Sequence, residues 1–120
     1  MTHQEIFDFV WTKLYEQGKQ SADSFGCKYR TANGLKCAVG HLIPDNVYVK
    51  HMEGRAISTI SESYSLPSDI FNRGNEVLLQ ELQGAHDLAS KPTFLEDLAS
   101  QMREIAVRRG LSHAIIPASY

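Results

Sequence analysis

Thr93-Phe94-Leu95-Glu96-Asp97-Leu98-Ala99-Ser100-Gln101-Met102-Arg103-Glu104-Ile105-Ala106-Val107-Arg108-Arg109-Gly110 carries a complete helix signature. Thr93 stands as an N-cap with Glu96 three residues on, the pattern of a capping box. Leu95, Leu98, Ala99, Met102, Ile105 and Ala106 then fall on one face. Arg103, Arg108 and Arg109 lie toward the end where positive charge complements the helix dipole, and Gly110 follows as a C′ residue would. The spacing predicts a helix over 93–109.

The same signature recurs outward from there. Thr2 with Glu5 opens a helix over 2–17, in which Ile6, Val10 and Leu14 repeat beside Phe7 and Trp11, and Gly18 closes it. Leu78, Leu82 and Ala85 repeat at helical spacing within 75–87, supported by Val77 and Leu79, and Arg55 to Tyr64 can form a shorter helix. Isolated helices of this length are marginal in water, so their apolar stripes must cover one another, with Trp11 inside. Between the first helix and the rest lies Cys27-Lys28-Tyr29-Arg30-Thr31-Ala32-Asn33-Gly34-Leu35-Lys36-Cys37-Ala38-Val39. Asn-Gly between two strand-like runs predicts a hairpin with a two-residue type I′ turn. In that register Ala32 faces Leu35 and Arg30 faces Cys37, which sets Cys27 and Cys37 on opposite faces and disfavours a disulfide; a longer loop would change the parity. Ala38 to Ile43 can leave the hairpin as a helical turn that Pro44 stops. The fold class expected is mainly α (α+β): one compact helical domain over 1–120, with one β-hairpin in its N-terminal third.

Composition bounds the function. The 120 residues suffice for one hydrophobic core. Lys+Arg of 12 against Asp+Glu of 14 gives a net charge of −2, unlike a general nucleic-acid coat. No apolar run reaches bilayer length and no secretion signal opens the chain, so a cytoplasmic setting with reduced thiols is expected. Two cysteines are too few for a disulfide scaffold. The apolar tail Ser112 to Tyr120 is expected to dock on its own core or on a second subunit, which makes a symmetric homo-oligomer the simplest association.

From Ser24 to Pro44 no acidic residue occurs, although Asp23 and Asp45 bracket the run. It carries Lys28, Tyr29, Arg30, Lys36 and His41, which offer a stacking ring, a planar fork of donors and point charges to a phosphate or base. Arg55, Arg73 and His86 are the further candidates for such a ligand site. The competing interpretation of the run is an ordinary solvated face. Cys37, with His41 or His86, is a weaker nucleophile candidate, since a small cysteine between Lys36 and Ala38-Val39 is more often core. Cys27, Cys37 and His41 lack the ligand spacing of a zinc module, and neither a metal nor a cofactor is expected.

The run from Tyr29-Arg30 through Asn33-Gly34-Leu35-Lys36-Cys37-Ala38-Val39-Gly40-His41-Leu42-Ile43-Pro44-Asp45 to Met52-Glu53-Gly54, joined by Leu82-Gln83-Gly84-Ala85-His86-Asp87, resembles a family of small proteins of tailed bacteriophages and prophages. The resemblance supplies no catalytic or binding residue. It implies an accessory role in the host cytoplasm, such as counter-defence by sequestering a nucleotide immune signal. A protein–protein inhibitor of a host defence or regulatory protein and a Cys37-dependent thiol enzyme are the alternatives.

Overall fold

Thr2 and Glu5 form the capping box that their spacing predicts: the Thr2 hydroxyl accepts the Glu5 N–H at 3.1 Å, and the Glu5 carboxylate accepts the Thr2 N–H at 2.7 Å. They open α1 (His3–Gln17), and Gly18, at φ +72°, closes it in the left-handed conformation that glycine adopts without strain. The computed structural model describes residues 1–120. After α1 come β1 (Ala22–Asp23), β2 (Gly26–Cys27), α2 (Ile57–Ser63), α3 (Glu76–Asp87) and α4 (Phe94–Arg109), with 3₁₀ turns at Lys50–Met52 and Lys91–Thr93. The protein is mainly helical with a small antiparallel hairpin in its N-terminal third, as the sequence predicts.

One contiguous core joins these elements. Ile6, Phe7, Val10, Trp11 and Leu14 of α1 are buried together with Leu78, Leu79 and Leu82 of α3 and Leu98, Met102 and Ile105 of α4. Trp11 is 2% exposed. The tail docks in cis: Ile116 is buried, and the Tyr120 ring packs edge-on against Trp11 and Tyr15 at 6.2 and 6.0 Å. Arg103 holds the Pro117 and Tyr120 carbonyls at 2.9 and 2.5 Å. The apolar residues that suggested a second subunit therefore cover the chain's own first helix.

Two local expectations are corrected. The regular hairpin is β1–β2, with Ala22 opposite Cys27, and precedes the Asn33-Gly34 reversal. That reversal is a three-residue loop, in which the Thr31 N–H meets the Leu35 carbonyl at 2.9 Å and Arg30 faces Lys36, not Cys37. The Thr31 hydroxyl accepts the Leu35 N–H at 3.0 Å, and only Gly34 takes positive φ. A type I′ turn would have placed Asn33 there too, and the extra loop residue avoids this. Cys27 and Cys37 are free thiols. At α4 the Thr93 hydroxyl does not cap the helix, because Thr93 has left the extended conformation (ψ 35°) that an N-cap needs. Asp97 instead ties down the preceding turn by accepting the Ser90 N–H and the Thr93 hydroxyl, each at 2.9 Å.

Candidate functional site

The run without acids in sequence is not without acids in space. Asp45 folds back so that its carboxylate meets Arg30 at 2.9 Å and Lys36 at 3.5 Å, and these two cations hold its carboxyl below the usual range. Arg30 also donates to the Ile43 carbonyl at 2.6 Å and lies over the Tyr48 ring, 4.7 Å from its centroid. Its side chain is 14% exposed, so it acts as a clamp. The Tyr29 ring belongs to the core, and its hydroxyl donates to the Arg55 carbonyl at 2.6 Å. Cys37 is fully buried; its sulfur accepts the Gly40 N–H at 3.3 Å, and burial pushes the thiol up to about 12. A nucleophile needs access and a thiolate, and Cys37 has neither.

His41 lies 3.1 Å from the side-chain oxygen of Gln17, which also accepts the Lys36 N–H. Burial, and then Lys36 and Lys13, pull the imidazole down to about 4. Since the folded value lies below the ordinary one, the unfolded chain takes up this proton first. Stability is then unaffected by His41 above about pH 6.5 and falls as the pH drops from there toward 4. The loss is expected to reach roughly 1–2 kcal/mol, because solvent screening of the partly exposed ring holds it below the full linkage value. Urea unfolding across pH 4–7 checks this. His41→Gln should flatten that window, and an unchanged slope would assign it to other groups.

His86 is completely buried on α3 against Phe94, with ring centroids 5.5 Å apart. Its Nε2 accepts the Ser21 backbone N–H at 2.9 Å, so that nitrogen carries no proton. The proton therefore sits on Nδ1 and is donated to Asp87 at 2.8 Å. The Cys27 thiol completes a trio whose potential ligand atoms all lie within 4.8 Å of one another. The trio does not suit a metal, because the Nδ1 lone pair that would ligate it is replaced by N–H for as long as Ser21 holds Nε2. Burial and Asp87 raise the Cys27 thiol to about 11, so it stays protonated at neutral pH. The trio braces the hairpin against α3. Gln20 completes the brace by donating to the His86 and Ala89 carbonyls at 3.0 and 2.7 Å, which caps the end of α3.

Beside this brace lies a cleft of about 140 Å³ between Cys27–Tyr29, Glu53–Arg55 and α3. Its two carboxylates are occupied. Glu53 accepts the backbone N–H groups of Tyr29 and Arg30 at 2.9 and 3.0 Å and the Tyr48 hydroxyl at 2.5 Å. Asp87 accepts from His86 and from Gln83, the latter at 2.9 Å. Its cations are not occupied: Lys28 makes no side-chain contact with an acid, and Arg55 uses only Nε, toward the His51 carbonyl at 2.7 Å.

Of the residues expected from sequence to bind a ligand, Tyr29 and Arg55 line this cleft and His86 supports its wall. Arg30, Lys36 and His41 are engaged elsewhere, and Arg73 lines a separate groove. Lys28, a member of the basic run that was not singled out as a ligand residue, lines the cleft as well. Gln17, Gln20, Ser21, Glu53 and Gln83 gave no local signal, because each meets a partner distant in sequence. No protein-family model, curated protein or solved structure matches the chain. No helix is long and apolar enough to cross a membrane.

Proposed function

We propose that this protein is a non-enzymatic binder that sequesters a small phosphorylated ligand of the nucleotide-signal class, as a phage-type accessory protein in counter-defence. One observation carries this reading: in the cleft beside His86 both carboxylates already hold internal donors, while Lys28 and Arg55 keep free N–H groups facing the same space. An anion arriving there meets two cations that no acid holds, set against two carboxylates whose oxygens already accept internal donors, in a volume of phosphate size.

The test is to dialyse the protein against a panel of nucleotide second messengers, denature it and identify what is released. Intact release supports sequestration, and an altered product means catalysis. Lys28→Ala and Arg55→Ala should each weaken retention about tenfold or more while leaving the melting temperature nearly unchanged. Arg30→Ala should instead lower stability, because it removes the clamp on Asp45 and Ile43. Retention undiminished in both Lys28→Ala and Arg55→Ala would remove the cleft as the site.

A second reading, an inhibitor that blocks a host protein, is favoured by the hairpin tip. Phe25 is 88% exposed there, and Leu88 is 79% exposed next to the Asp87 carbonyl that Cys27 touches. If no nucleotide is retained, this surface becomes the one to probe.

A further inference from the structure

We propose that the groove between α2 and α3 binds a small zwitterion with an apolar body, as an aliphatic or aromatic α-amino acid presents. The groove encloses about 280 Å³, at the lower edge of the ~300–1,000 Å³ usual for small-molecule sites, so its occupant is small. It shares no lining residue with the cleft beside His86.

Its floor is apolar. Ile57 of α2, Phe71 of the connecting loop and Leu79 of α3 are all buried and lie at the bottom. The rim is polar, and apart from Asn72, which donates to the Ser68 carbonyl and accepts the Asn75 N–H, its side chains have no internal partner. Arg73 lines the same space as Glu62 and Glu76, yet forms an ion pair with neither. Ser58 and Ser61, three residues apart and so on one face of α2, present hydroxyls that make no side-chain hydrogen bond. Opposite charges that share a cavity and do not meet leave room for a ligand that meets both.

That arrangement selects the ligand's chemistry. A carboxylate on the guanidinium of Arg73 gains a two-pronged, charge-assisted contact. An ammonium group is matched by Glu62 and Glu76, the serine hydroxyls supply further hydrogen bonds, and an apolar side chain covers the floor. A polyphosphate is disfavoured, because the rim holds two carboxylates against one guanidinium.

The experiment titrates the wild-type chain with L-leucine and L-phenylalanine, following backbone amide shifts by NMR. Phenethylamine, which lacks the carboxylate, and phenylacetate, which lacks the ammonium, serve as matched probes. The expected result is saturable binding of both amino acids with shifts confined to the groove, and binding at least about tenfold weaker for either analogue. Arg73→Ala and Glu76→Gln should each weaken L-phenylalanine binding to a similar degree. No groove shifts at millimolar amino acid, or phenethylamine binding as well as L-phenylalanine, would overturn the proposal. Failure of nucleotide retention would not touch it.

Discussion

Gly40→Ala is expected to be the most damaging single-methyl change in the chain, costing about 3 kcal/mol or more and lowering the melting temperature by roughly 10 °C. A Cβ built on Gly40 falls 2.0 Å from the carbonyl oxygen of Tyr29 and 3.1 Å from the Cys37 nitrogen. Both neighbours are backbone, so no side chain can swing away. The Tyr29 carbonyl is held in place because it accepts the Cys37 N–H at 3.2 Å. Relieving the clash would pull the basic run off the turn at Ala38–Ile43 and open the core around Cys37 and Val39. Gly84→Ala is the matched control: an added Cβ there meets nothing within 4 Å, and alanine in a helix interior is worth about 0.5–1 kcal/mol over glycine. Thermal melts of the two variants should move in opposite directions. A Gly40→Ala melt within a degree or two of wild type would mean that the two segments are not in contact.

Glu53→Ala is expected to cost about 3 kcal/mol. One carboxylate accepts two consecutive backbone N–H groups and a tyrosine hydroxyl, and its removal leaves all three donors without their partner. The Arg30 backbone then loses its anchor, although Asp45 and the Ile43 carbonyl still hold its guanidinium. Glu53→Gln separates charge from shape. The amide keeps one acceptor oxygen but turns an NH₂ toward a backbone N–H, so it should recover at most part of the loss. Denaturant unfolding of wild type and both variants measures this. Equal stability of Glu53→Gln and wild type would show that one accepting oxygen suffices.

The candidate site was legible in sequence only in part, and the reason is electrostatic. Tyr29 and Arg55 were marked by residue type and do line the cleft. Arg30 and Lys36 belong to the same run but share Asp45, the bracketing acid just beyond it, which balances one of their two charges. Charge read along a chain counts neighbours in sequence, whereas a cation's availability depends on which acids the fold brings within a few ångströms. Glu53 makes the same point from the other side: in sequence it is one more surface glutamate, and in the fold it is the acceptor around which Tyr29, Arg30 and Tyr48 are arranged.

Elements whose determinants lie within a few residues of one another were readable from the chain alone. The ends of α1 needed only Thr2, Glu5 and Gly18, the end of α4 only Gly110, and the buried faces of α1, α3 and α4 followed from helical spacing, except that Val77 of α3 points to solvent. Where a single local rule competed with other contacts, near or far in sequence, those contacts prevailed. Asn33-Gly34 favoured a two-residue turn, but the Thr31 hydroxyl and the pairing of Cys37 with Tyr29 set a longer loop and shifted the register by one residue. The proton position on His86 was likewise settled by the N–H of Ser21, sixty-five residues away in sequence. Helix caps and apolar stripes are short-range interactions that survive in any surroundings. Register, side-chain tautomer and free charge depend on groups that meet only when the core closes.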